Sequence, residues 1–244
     1  GITAKMAARG GASMVTTHSL AYFRMQGLSS MAGYLPICDA NALTLELGER
    51  ALINVVHDCP LVAGLLCVDP TRDMTRFLEK VAAAGYHGVM NCPTVALIDG
   101  KFRGDLEETG MGFDLEVEMI AEAARLGLLT TAYAFTPDEG RAMAEAGADV
   151  VVAHMGLTTK GAIGARTALS LDESVDRIGS IRDAVRAAGD ALVFCHGGPI
   201  AEPEDVRYVL DRATGIAGFF GASSIERLPT EVAITDCVRQ FKAI

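Results

Sequence analysis

The amino-acid sequence predicts an α/β fold, a (β/α)8 barrel with its first strand expected before Gly1. Three observations predict it. Short apolar runs alternate with amphipathic stretches of about 10–15 residues, the signature of βαβ units on a parallel sheet. No Pro/Ser-rich linker or shift in composition divides the 244 residues, so residues 1–244 read as one domain. The strongest glycine turns follow the last two strands, whereas an open doubly wound sheet carries its phosphate turn after the first.

The elements follow in order. Ile2–Arg9 is helix-like and ends at Gly10-Gly11, and Ser13–His18 is a short strand. After a Gly-rich loop, Asn41–Val56 is helical, with Leu43, Leu45, Leu47, Leu52 and Val55 as its apolar residues. Pro60–Val68 is continuously apolar, as suits a strand covered on both faces. Met74–Ala84 is a helix stopped by Gly85. Gly88–Asn91 is a strand, followed by a long loop to Asp114 and a helix over Leu115–Leu126. Leu128–Phe135 is a strand; Thr136, Pro137 and Glu139 then form a capping box with Pro at the first helical position. Asp149–Ala153, Ala191–Cys195 and Ile216–Phe220 are strands, and Leu171–Ala188, Glu202–Arg212 and about Thr230–Phe241 are helices. Seven strands result where a closed barrel needs eight, and the opening helix places the expected missing strand ahead of Gly1.

Composition narrows the partners. With 21 Lys and Arg against 31 Asp and Glu, the net charge of −10 leaves nothing to neutralise a phosphate backbone, so no nucleic-acid partner is expected. No uncharged apolar stretch reaches about 18 residues, which argues against a membrane span, and Gly1–Lys5 is not the start of a signal peptide. A cytoplasmic protein is expected. The six cysteines contain no CxxC and read as reduced, mostly buried small hydrophobes. The Ala- and Met-rich exterior points to a homo-oligomer.

In a barrel of this kind, functional side chains collect at the C-terminal ends of strands. Those positions hold His18, Asp69, Asn91, Tyr133, His154, His196 and Ser223. His154 and His196 are the expected general acid and base. The last two turns, His196-Gly197-Gly198-Pro199 and Gly221-Ala222-Ser223-Ser224, suit an anion, with Gly197, Gly198, Ala222 and Ser223 supplying backbone N–H groups and a helix N-terminus. The alternative is that these glycines only make tight turns. Arg24 and Arg103, in two long loops, could clamp a carboxylate or phosphate. Glu108 is the candidate acid/base carboxylate of the second loop, and Glu118, in the next helix, the candidate ligand for a divalent metal with Asn91. Lys160 lies in a Gly/Thr-rich loop and no lysine lies in an expected strand, which counts against a Schiff-base aldolase.

Several long motifs stand in sequence order: Gly1-Ile2-Thr3-Ala4-Lys5, Asp39-Ala40-Asn41-Ala42, Asn91-Cys92-Pro93-Thr94 and Glu107-Glu108-Thr109-Gly110-Met111-Gly112. Leu115 to Ile120, Ala153 to Thr159, Cys195 to Ile200 and Gly221 to Thr230 follow them. Over essentially the whole chain they resemble the phosphoenolpyruvate-hydrolase-type TIM-barrel family. The resemblance implies kinship with phosphoenolpyruvate mutase and phosphonopyruvate hydrolase, which use Mg2+ on small phosphorylated or phosphono α-keto acids. It therefore implies a hydrolase or lyase for such a substrate, with Mg2+ as the expected cofactor, although the Asp-rich metal motif of the mutase group is not recognised here. The loop Thr17–Arg24 keeps the family's Arg but replaces the Asn-Ser-Gly-type residues expected before it. The resemblance extends to plant virus-resistance barrels, which implies the alternative of a non-enzymatic ligand-binding or protein-interaction barrel. A lyase or isomerase working through an enolate is a third reading.

Overall fold

The structure, a computed structural model, describes residues 1–244. The chain runs α1 (Ile2–Arg9), β1 (Val15–Thr17), α2 (Ser19–Met25), α3 (Ala40–Leu47), β2 (Leu61–Leu65), α4 (Met74–Ala84), β3 (Gly88–Asn91), α5 (Gly100–Glu108) and α6 (Asp114–Arg125). It continues through β4 (Leu129–Ala134), α7 (Pro137–Glu145), β5 (Val150–His154), α8 (Leu171–Ala188), β6 (Leu192–His196), α9 (Pro203–Arg212), β7 (Gly218–Phe219) and α10 (Ser223–Lys242). All neighbouring strands pair in parallel, in sequence order, as one seven-stranded sheet. No eighth strand joins it. The sheet curls until the segments after its two edge strands meet, since Arg24 of α2 pairs with Glu226 of α10.

Local chemistry accounts for the helix limits. Asp73 caps α4 by accepting from the Arg76 N–H, and Gly85 ends it in the left-handed conformation at φ 109°, which suits a residue without a Cβ. Thr136 and Glu139 form the capping box of α7, and Ser170 and Glu173 form that of α8. The helix expected over Asn41–Val56 breaks at Gly48 into a π-helical turn, Gly48–Leu52, where the Gly48 backbone packs against the Tyr86 ring. A Cβ on Gly48 would lie 2.4 Å from the Tyr86 hydroxyl.

Alternation along the strands divides the interior. Val151, Ala153, Val193 and Cys195 face outward, into the large cluster between sheet and helices. Val150, Val152, Tyr133 and Phe220 belong to a smaller cluster inside the curl. The side-chain period of two puts His154 in phase with Val150 and Val152, so it belongs on the inner face. Register adds the height: His154 stands opposite His196 across the β5–β6 ladder, so the two imidazoles share one level at the mouth.

Three expectations need correction. The two long loops carry structure of their own: α2 and a 3-10 turn at Ser30–Tyr34 in the first, a 3-10 turn at Val95–Leu97 and α5 in the second. The terminal helix starts at Ser223 and not at about Thr230, because Pro229 removes one hydrogen bond without ending it. The last strand is only Gly218–Phe219. No helix is long and apolar enough to cross a membrane.

Candidate functional site

A cavity of about 50 Å³ opens at the C-terminal end of the strands. Its wall includes His18 after β1, Cys92 after β3, Tyr133 on β4, His154 ending β5, His196 ending β6, and Ala222, Ser223 and Arg227 at the start of α10. Arg24 and Tyr34 close it from the first long loop, and Gly156 to Thr158 with Ile163 and Ala165 close it from the loop after β5. The volume holds a few waters or one small polar group.

Three imidazoles line the cavity, and two of them pack together. His154 and His196 meet edge to face with ring centroids 4.5 Å apart, Tyr133 stacks on His196 at 5.3 Å, and Phe135 stacks on His154 at 4.4 Å. Their hydrogen bonds settle the tautomers. The Gly156 N–H donates to Nδ1 of His154 at 2.9 Å, and the Ala21 N–H donates to Nδ1 of His18 at 3.3 Å. In the neutral ring both residues therefore carry their hydrogen on Nε2. His196 is the reverse: its Nδ1 lies 2.5 Å from the Phe220 carbonyl, which can only accept, so Nδ1 carries the hydrogen and Nε2 is a lone pair, faced by the Tyr133 hydroxyl at 3.5 Å.

Burial lowers all three pKa values, because a charged ring loses its hydration. The Arg24 guanidinium pushes the same way, and His196 falls to about 4. Neutral imidazoles at neutral pH follow: two Nε2–H donors and one Nε2 acceptor in one basin.

The guanidiniums supply the positive charge. Arg24 is 6% exposed and donates through Nε to Glu226 and through Nη1 to Ser30 at 3.2 Å. Arg227 is 4% exposed and donates to Glu231 at 2.8 Å and to the Lys160 carbonyl at 3.0 Å. Nη2 of Arg24 and Nε of Arg227 are buried without any partner. A buried donor left unpaired costs about 1–3 kcal/mol, more when charged, so each is an opening for a ligand acceptor.

The other expected site residues lie elsewhere or are already engaged. Asn91 spends its amide on Glu116 and Tyr133 and does not line the cavity: Nδ2 donates to Glu116 at 2.6 Å and to the Tyr133 carbonyl at 3.2 Å, and Oδ1 accepts from the Tyr133 N–H at 2.6 Å. Arg103 also lies outside, bonded to the Val95 carbonyl at 3.0 Å and Glu107 at 2.5 Å. Glu108 is an exposed residue of α5, and Glu118 points to solvent from α6. Gly197 and Gly198 hold left-handed φ values of 79° and 58°. Their corner packs on the one after β5, where added Cβ atoms would come within 2.3 Å of the Gly156 carbonyl and 2.5 Å of that of Met155. The Gly198 N–H is spent on Gly156 at 2.8 Å. This pair seams two loops together, whereas Ala222 and Ser223 do reach the cavity wall.

Two important groups escaped the sequence reading. Arg227 stands four residues after Ser223, one helical turn on, and the turn periodicity of a helix starting at Ser223 would have found it. Glu116, not Glu118, is the buried carboxylate of α6, in phase with Met119, Ile120 and Ala123. It accepts from Asn91, from the Thr94 hydroxyl at 2.7 Å and from the Val95 N–H at 2.7 Å. Burial pushes its pKa up to about 7 against the pull of those donors.

The donor set does not fit Mg2+. That ion takes hard oxygen ligands, usually carboxylates, and no Asp or Glu lines the cavity. No group of three or more His, Cys, Asp or Glu residues is placed to hold a metal.

Comparison with known proteins places the geometry. The profile of the phosphoenolpyruvate hydrolase-like family matches residues 1–244. The chain is 56% identical over 245 aligned positions to the ToMV resistance protein Tm-1 of Solanum lycopersicum, and equally to the ToMV susceptible protein tm-1 of that plant. Each match takes in 100% of this chain but 32% of the relative, so the chain spans about a third of the length of these relatives. A crystal structure of phosphonopyruvate hydrolase in complex with oxalate and Mg2+ superposes at TM-score 0.59, with 15% identity, covering 99% of this chain and 77% of that one. That likeness is one of fold.

Proposed function

The chain belongs to the phosphoenolpyruvate hydrolase-like family, and from that premise we propose that it is a hydrolase or lyase acting on a small phosphorylated or phosphono α-keto acid at the barrel mouth. One observation carries the reading: two buried guanidiniums, each with an unpartnered N–H, share a cavity with three neutral imidazoles. Arg24 and Arg227 bind the negative groups of the substrate. The Nε2 lone pair of His196 accepts a proton from an attacking water or from the substrate. The Nε2–H groups of His154 and His18 donate to the oxygen on which charge develops, without a proton having to move. Mg2+ has no carboxylate to hold it in this cavity.

The test is release of phosphate and pyruvate from phosphonopyruvate and phosphoenolpyruvate. Turnover is expected with one of them, and His196→Ala should lower kcat by about 10²–10⁴-fold, the usual span for a lost general base, with the fold unchanged by circular dichroism. Silence on both substrates, or an unaltered rate in the variant, sinks the proposal.

A second reading has one observation in its favour, the 56% identity to a virus-resistance protein over the whole chain. A non-enzymatic ligand-binding or protein-interaction barrel would bind phosphate without turnover and tolerate His154→Ala. The susceptible protein matches equally well, so likeness in this segment does not track resistance. We also infer that the protein is a homo-oligomer, for the apolar residues along the end of α10 have no cover within one chain.

A further inference from the structure

We propose that Arg24 and Arg227 form a metal-independent clamp for a small dianion, and that Glu226 is the internal carboxylate this ligand displaces from Arg24. The inference rests on the cavity being a substrate site, and it specifies the ligand's charge and what holds it.

No carboxylate lines the cavity, and the negative charges nearest its guanidiniums are their own ion-pair partners, Glu226 on Arg24 and Glu231 on Arg227. The polar lining consists of two guanidiniums, neutral imidazoles and hydroxyls. A dication in this lining would meet two guanidiniums and no carboxylate ligand, whereas an anion that displaces Glu226 keeps Arg24 neutralised. The vacancies match two anionic groups: one unpartnered nitrogen on Arg24 and one on Arg227, each on a side chain more than nine-tenths buried. Planar guanidinium forks take a carboxylate or phosphonate through two parallel N–H bonds, and each fork here is only partly engaged.

Glu226 completes the argument. It precedes Arg227 in the first turns of α10, and its carboxylate reaches across to Nε of Arg24. That is the only hydrogen bond its carboxylate makes, and the side chain is 16% exposed. A carboxylate held by one bond to Arg24, which itself lines the cavity of about 50 Å³, marks where a ligand's own carboxylate would bind. The cavity is far smaller than the roughly 300 Å³ of ordinary ligand pockets, so a ligand of several heavy atoms enters by taking the place of Glu226. Arg227 stays anchored meanwhile, through Glu231 and the Lys160 carbonyl.

Calorimetry of oxalate and of inorganic phosphate against the full chain tests this, once with EDTA and once with excess Mg2+, using free-anion concentrations corrected for Mg2+ complexes. Oxalate is expected to bind with the same Kd, within about twofold, in both conditions. Arg24→Gln and Arg227→Gln should each weaken binding about tenfold or more, as lost charged hydrogen bonds do. Glu226→Gln should tighten it several-fold by freeing Arg24. This last variant removes no contact of the loop after β5, so it decides the question even if an arginine variant fails to fold. Binding of oxalate that requires Mg2+, no binding of either anion with EDTA, or weaker binding in Glu226→Gln, as loss of a metal ligand would give, overturns the clamp. The two proposals fail separately: binding without turnover sinks the enzyme and leaves the clamp, whereas Mg2+-dependent turnover does the opposite.

Discussion

His196 owes its chemistry to one backbone carbonyl. Because Phe220 accepts its Nδ1 hydrogen, His196 is the one cavity imidazole whose Nε2 is a lone pair, with only the long contact to the Tyr133 hydroxyl at 3.5 Å upon it. Burial and the Arg24 charge hold its pKa at about 4, which predicts the pH behaviour. The kcat/KM profile reports the free protein, so its acid limb should fall at about 4. A bound dianion offsets Arg24 and favours the imidazolium, so the acid limb of kcat should lie higher. Rate profiles against pH measure both, and a kcat/KM limb near the ordinary histidine value of about 6.5 would remove His196 as a buried neutral base. Stability follows the same sign. All three rings have folded pKa values below the unfolded one, so the unfolded chain binds more protons and stability is lost as pH drops from about 6.5 towards the folded values. At this scale the histidines were legible because strand ends are legible. The carboxylates were not: Glu118 and Glu116 differ only in helical phase, and the buried face of α6, carrying Met119, Ile120 and Ala123, selects Glu116.

Among the elements, the end of β3 and the helix α6 depend on that carboxylate. Glu116 gathers the Asn91 amide, the Thr94 hydroxyl and the Val95 N–H, and Asn91 in turn holds both backbone groups of Tyr133 on β4. Tyr133 is the ring on which His196 stacks, so the network underlies the cavity floor without lining it. Glu116→Ala leaves three buried donors without their acceptor and should cost about 3 kcal/mol or more, a fall in Tm of about 6–12 °C for a chain of this size. Thermal unfolding followed by circular dichroism checks it, and a Tm within a degree or two of the parent would show that the network is dispensable. The α5 helix shows why loops resist reading. Its Gly100-Lys101-Phe102-Arg103-Gly104 start has no apolar face, and none of its residues is buried, so no hydrophobic period announces it. The strands and the helices α4 and α8 were legible because an apolar period and a stop or cap residue agreed with each other.

On the scale of the whole molecule, the alternating pattern dictates a parallel curled sheet with a mouth at one end, since βαβ crossovers leave each strand pointing the same way. What one chain's pattern does not dictate is where α10 finds its cover. Its first turns complete the cavity through Ser223 and Arg227, whereas every residue from Glu231 onward is partly or fully exposed. Val232 is 62% exposed, Ile234 61%, Val238 52% and Phe241 72%. Apolar side chains on more than one side of a projecting helix signal a surface meant to be covered, and a second copy of the chain supplies a cover by symmetry. The full chain should therefore run as an oligomer in light scattering at micromolar concentration. A chain ending at Glu231 keeps the ties of Arg227 and of the Ala162 N–H to that carboxylate while losing the apolar arm, so it should run as a folded monomer. If the full chain is itself monomeric, or the shortened one associates as before, the arm is not the interface. Because Arg24, Glu226 and Arg227 remain in the shortened chain, its affinity for oxalate should match that of the parent, which separates assembly from the binding of anions.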